Sequence, residues 1–108
     1  LEVIASPFKC TDQAFALRVK GDSMTSPQGS EYSFPEGSII IVEPNAQARH
    51  KNFVIVQIEG ANLATFKRLN LEDNGFLQPL NTQYPIVPIE GAYEVHGVVI
   101  GVTQKVNF

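Results

Sequence analysis

The chain has 108 residues, 44% hydrophobic and 18% charged, which is the balance of one folded domain and not of a disordered segment. Its formal net charge of -3 argues against a surface that grips nucleic-acid phosphates unaided, so direct nucleic-acid binding by this chain is not expected. No apolar run approaches the roughly 18 residues of a membrane span, and the start, LEVIASPFKC, lacks the pattern of a signal peptide, so no membrane contact is expected.

The elements predicted along the chain are short and β-rich. Phe15–Val19 alternates, with Phe15, Leu17 and Val19 on one side and Ala16 and Arg18 on the other, as a half-buried strand does. Ser38–Val42 (SIIIV) is continuously apolar and reads as a strand covered on both faces. Phe53–Glu59 and Leu63–Leu69 flank Gly60-Ala61-Asn62, the pattern of a hairpin with a short Gly-containing loop. Gly75–Leu77 and Ile86–Pro88 are shorter pieces around a Pro-rich crossing, and Val95–Val102 reads as a closing strand. Thr25–Glu36 and Leu71–Gly75 are loops, rich in Ser, Pro, Gly and Asn. No segment carries a capped 3.6-residue apolar period, and seven prolines and eight glycines punctuate the pattern. The expected class is all-β: a single compact domain over residues 1–108, built of mostly antiparallel strands and hairpins with almost no helix.

The residues that could carry chemistry are few. Cys10 is the single cysteine, cannot close an internal disulfide, and has no histidine spaced to activate it, so it reads as a bystander thiol in a reducing cytoplasm. His50 and His96 have no Cys or acidic cluster around them, so neither a metal nor another cofactor is expected. Gly21-Asp22-Ser23-Met24 follows a strand and opens a loop, a place where a hydroxyl stands clear of the sheet beside unpaired backbone N–H groups. A serine needs a base. With no histidine suited to that task, a lysine is the remaining choice, and it serves only if burial keeps its amine neutral. Lys67 is the best placed: alternation puts it on the face of Leu63, Thr65 and Leu69, opposite Ala64, Phe66 and Arg68. From the residues alone, a turn serine and a solvated lysine remain the simpler description, and Asp22 reads as a turn carboxylate.

Four strings in order carry a resemblance. ALRVKGDSMTSP (Ala16–Pro27) resembles the nucleophile segment of the LexA-like self-cleaving proteins, and SFPEGSIIIVEP (Ser33–Pro44) resembles the Pro-x-Gly turn and apolar strand that follow it. Phe66-Lys67-Arg68-Leu69 is similar to the segment holding the family's general-base lysine. FLQPLNTQYP (Phe76–Pro85) is similar to the "LQPLNPQYP" string of lambda-type phage repressors. The resemblance runs from about Phe15 to Val102.

It implies a LexA/signal-peptidase-like β fold and a Ser–Lys peptidase that cuts its own polypeptide at an Ala-Gly bond. Ser23 would be the nucleophile and Lys67 the base, with backbone N–H groups of Ser23 and Asp22 as the oxyanion hole. It also implies a homodimer or higher homo-oligomer, a RecA-type recombinase filament as co-protease after DNA damage, and operator binding through a separate helix-turn-helix domain. The bond to be cut is expected outside this chain, because Gly60-Ala61 and Gly91-Ala92 are in the wrong order and place. Two alternatives stand beside this reading: an oligomerisation module with an inert dyad, and a UmuD-like polymerase accessory subunit. A signal peptidase is disfavoured by the missing apolar span.

Overall fold

Runs of Val, Ile and Phe bounded by Gly, Pro and Asn become strands because branched and aromatic side chains pack well on a pleated surface. A computed structural model describes residues 2–4, as backbone, and residues 13–103; Cys10 and the tail beyond Thr103 lie outside the described residues. The strands are β1 (Glu2–Ile4), β2 (Phe15–Arg18), β3 (Ile39–Glu43), β4 (Phe53–Ile58), β5 (Thr65–Asn70), β6 (Phe76–Gln78), β7 (Val87–Pro88) and β8 (Tyr93–Thr103). All eight lie in one sheet in the order β1-β2-β3-β8-β4-β5-β6-β7. Every pair is antiparallel. No helix occurs among the described residues, so the class is all-β as expected.

The predicted strands appear with ends moved by a residue or two, while β1 has no counterpart in the sequence reading. The larger correction concerns β8. Far from closing the sheet at an edge, it is the central strand that joins two antiparallel groups. Its 11 residues allow this: Val98–Thr103 pair with β3 and Tyr93–Val98 pair with β4. The register slips between Ile41 and Val42 and again between Ile55 and Val56, which leaves Ile100 and His96 without direct partners. Such bulges bend and twist a strand, and here they let one strand serve both groups.

The apolar side chains sort onto two clusters. One gathers Leu17, Val19, Met24, Phe34, Ile40, Val42, Ile55 and Phe66. The other gathers Val54, Val56, Leu69, Leu77 and Val98. Ile55 and its neighbours Val54 and Val56 thus serve opposite faces, as strand alternation requires. The continuous run in β3 is buried on both sides, with Ile40, Ile41 and Val42 at most 1% exposed. In β2 the half-buried expectation is too modest, because Ala16 on the supposed outer face is also buried.

Where β3 crosses β8, Gly97 makes the fit possible. A Cβ on Gly97 would lie 2.3 Å from Cγ1 of Val42 and 3.3 Å from the Glu43 carbonyl oxygen. Gly97→Ala therefore overpacks the centre of the sheet and should cost about 1–3 kcal/mol. Urea unfolding of the two proteins checks this; equal midpoints would show that Val42 has room to give way.

Candidate active site

After β2 the chain stays attached to its neighbour for one more residue, with Val19 N–H donating to the Ser38 carbonyl and Gly37 N–H to the Val19 carbonyl, both at 2.9 Å. It then leaves the sheet at Gly21, whose φ of 76° suits a residue without a Cβ. Gly21 N–H donates to the Glu36 carboxylate across the mouth of the loop. The next four residues form a tight turn closed by Thr25 N–H on the Asp22 carbonyl at 3.0 Å. Ser23 sits half-buried at this turn.

Met24 is the turn's anchor. It is 1% exposed and packs into the first apolar cluster. Phe34 N–H donates to the Met24 carbonyl at 2.8 Å, and the Phe34 ring stands edge-on to Phe53 (4.8 Å) and Phe66 (5.1 Å). The predicted loop Thr25–Glu36 is thus tied down over β4 and β5, and the serine turn is pinned from below.

Lys67 comes from β5, where it lies opposite the fully buried Val54. Within β5, strand β6 pairs only with Arg68–Asn70, so the first half of β5 has β4 as its one strand neighbour among the described residues. The serine turn stands beside that uncovered half. The Lys67 Nζ lies 3.3 Å from Ser23 Oγ and 3.1 Å from both Thr65 Oγ1 and the Phe66 carbonyl oxygen. Burial lowers the Lys67 pKa from the usual 10.5. A neutral amine has two N–H bonds and one lone pair. With Thr65 and Phe66 accepting the two N–H bonds, the lone pair is left for the Ser23 hydroxyl. The ammonium form can donate to all three. The 3.3 Å separation is slightly long for a hydrogen bond.

Leu63 does not help to bury Lys67. It lies before the start of β5, in the bend that follows the hairpin turn, and is 81% exposed. The lysine is shielded instead by the serine turn, the Phe66 backbone and its position opposite Val54. Arg68 stays on the other side, above Phe53 (5.2 Å) and Tyr32 (5.8 Å), in cation–π contact.

Among the described residues, the N–H groups of Asp22, Ser23 and Met24 donate to no protein acceptor. Three unpaired donors at one turn can hold a developing negative charge. Beside them is a small pocket of about 120 Å³, lined by Val19, Lys20, Ser23, Met24, Ala64, Thr65 and Phe66. A larger, more open hollow of about 320 Å³ lies elsewhere, between the β4–β5 turn and the start of β8, and contains neither Ser23 nor Lys67. Size favours that hollow, but chemistry favours the small pocket.

The sequence reading overlooked what holds the turn from the other side. Asn81 N–H donates to the Ser23 carbonyl at 3.0 Å, and Asn81 Nδ2 donates to the Asp22 carbonyl at 3.1 Å. Tyr84 Oη donates to the Asp22 carboxylate at 2.5 Å, and that bond and charge raise the Tyr84 pKa. Asp22 is thus more than a free turn carboxylate. These residues belong to FLQPLNTQYP, whose resemblance was visible but whose role was not. Thr65 was noticed only as a neighbour of Lys67 on the strand. His50 and His96 take structural partners, Leu71 N–H and Glu72 for the first and Gln57 for the second. No group of three potential metal ligands occurs among the described residues.

Residues 1–100 match the Peptidase S24-like family. The chain is 46% identical over 92 residues to Repressor protein C2 of Salmonella phage P22, covering 84% of this chain and 42% of the relative. It is 42% identical over 92 residues to an HTH-type transcriptional regulator for conjugative element R391 of Providencia rettgeri, again covering 84% and 42%. It is 38% identical over 98 residues to a LexA repressor of Geobacter sp. (strain M21), covering 87% and 45%. The chain therefore spans less than half the length of these relatives. On the strength of the match across residues 1–100, the chain belongs to the Peptidase S24-like family.

Proposed function

We propose that this chain is the self-cleavage and dimerisation domain of a transcriptional repressor, with Ser23 and Lys67 as its catalytic pair. The observation that carries the reading is the half-buried Lys67 amine, 3.3 Å from the Ser23 hydroxyl with its pKa lowered by burial. Neutral Lys67 takes the Ser23 proton as Oγ attacks the carbonyl carbon of the scissile peptide bond. The N–H groups of Ser23 and Asp22 stabilise the oxyanion. Lys67, now an ammonium, protonates the leaving amine as the C–N bond breaks. A water molecule, deprotonated by Lys67, then hydrolyses the serine ester and returns Ser23 to its starting state.

The family resemblance supplies the rest of the proposal: an Ala-Gly bond as the target, a RecA-type filament as co-protease and operator DNA bound by a separate helix-turn-helix domain. Pairing of two copies is supported by the exposed apolar side chains of Ile100 (55%) and Val102 (42%) near the end of β8. Sedimentation at micromolar concentration should show a dimer or larger; a single 11.9 kDa species would remove dimerisation from the proposal.

The catalytic part is tested in trans. The substrate is a longer repressor chain with the same domain, an upstream Ala-Gly bond and Ser23→Ala. The unsubstituted chain should cut it at that bond, and a Ser23→Ala chain should not. The rate should climb with pH and level off below the 10.5 of an ordinary lysine, because only the neutral amine accepts a proton. A flat profile through the alkaline range would take Lys67 out of the mechanism.

Stability should carry the same signature. A lowered native pKa means that the folded protein resists protonation more than the unfolded chain does. The resulting destabilisation is fully present below the native pKa of Lys67, shrinks as pH rises from there, and is gone above the unfolded value near 10.5. Lys67→Met should therefore unfold at higher temperature than the parent near neutral pH, and the difference should narrow on the alkaline side. A constant difference at all pH values would mean that the ammonium is not penalised by folding.

A further inference from the structure

Two backbone carbonyls of the nucleophile turn, those of Asp22 and Ser23, are both held by one residue outside it, and that residue has no part in the proton transfers. The Asp22 carbonyl belongs to the same planar peptide unit as the Ser23 N–H, and in a trans peptide the two point in opposite directions. Fixing the direction of that carbonyl therefore fixes the direction of the Ser23 N–H. The Ser23 carbonyl is linked in the same way to the Met24 N–H. Asn81 holds both: its side-chain amide donates to the Asp22 carbonyl at 3.1 Å and its main-chain N–H donates to the Ser23 carbonyl at 3.0 Å.

Asn81 is itself fixed. Its Oδ1 accepts Gln83 N–H at 3.0 Å, and its carbonyl accepts Tyr84 N–H at 3.1 Å. Because Oδ1 faces a donor and the other end of the amide faces a carbonyl, the amide has one satisfactory orientation. The two residues before it anchor the segment: Pro79 is buried, and Leu80 packs against the first apolar cluster. An aspartate at this position would keep the main-chain donor and the oxygen that accepts Gln83 N–H, but would lose the donor to Asp22.

We propose that Asn81 is a positioning residue for the reaction: by holding the Asp22 and Ser23 carbonyls, it fixes the peptide unit between these residues and aims the Ser23 N–H at the oxyanion. This rests on Ser23 acting as the nucleophile. It assigns a purpose to the FLQPLNTQYP segment, which arches from β6 over the serine turn while leaving the first half of β5 uncovered.

The test is trans-cleavage of the Ser23→Ala repressor by the unsubstituted chain, Asn81→Asp, Asn81→Ala and Tyr84→Phe, with kcat and KM measured separately across pH. Misdirected oxyanion donors weaken the transition state, so both Asn81 variants should lose about 10- to 100-fold in kcat with little change in KM. For Asn81→Ala, which adds no charge, the midpoint of the pH profile should stay in place, because Asn81 does not touch Lys67. Tyr84→Phe, which removes a bond to the Asp22 side chain but leaves both carbonyls held, should lose less kcat than either Asn81 variant. Thermal unfolding of each variant separates lost activity from lost fold. Folded Asn81 variants with parental kcat would overturn the proposal and leave the Ser–Lys reading intact, as would a loss confined to KM. No cutting by the unsubstituted chain would overturn both.

Discussion

A lysine amine is a base only while it is not an ammonium, and at an ordinary pKa near 10.5 it is almost never free near neutral pH. Everything around Lys67 bears on that constraint. Partial burial disfavours the charge, and the amine's neighbours are a hydroxyl, a carbonyl and the Ser23 oxygen, with no carboxylate among its bonded partners. A carboxylate there would favour the ammonium and defeat the purpose. The absence of a histidine from the site is consistent with this: a neutral lysine beside a serine hydroxyl needs a dry, uncharged setting more than it needs a relay.

The fold makes room for the partly buried amine and the serine turn by stopping short. Strand β6 covers only the second half of β5, and the first half is left for the serine turn and the small pocket. The turn is held from two directions. Met24 and Phe34 fix it to the apolar cluster below, and Asn81 fixes its carbonyls from the side. The result is a serine whose neighbouring N–H groups have no protein acceptor among the described residues, while the Asp22 and Ser23 carbonyls are engaged.

Much of this was legible in the sequence, and the limits have physical causes. The strands could be read because alternation and continuous apolar runs report burial directly, as in Phe15–Val19 and Ser38–Val42. The place of β8 could not, because periodicity says that a segment is a strand but not which strands flank it. Its central position depends on length and on bulges at His96 and Ile100, which leave no pattern in composition. Ser23 and Lys67 were legible through resemblance more than through spacing, since their proximity is a tertiary contact between a turn and a distant strand. The expected apolar face around Lys67 failed at Leu63 because alternation was extended past the true start of β5. Asn81 escaped notice for a similar reason: its hydrogen bonds reach back about 60 residues along the chain, to carbonyls that any residue would provide.

The central claim is that folding keeps the Lys67 amine neutral enough to act as a base beside Ser23. The most direct measurement is an NMR pH titration of the Lys67 side chain, following its Cε signal in the protein with labelled lysine. The account predicts a midpoint clearly below 10.5. A midpoint at or above 10.5 would contradict it, because the amine would then be an ammonium wherever the protein works, and Ser23 would have no base.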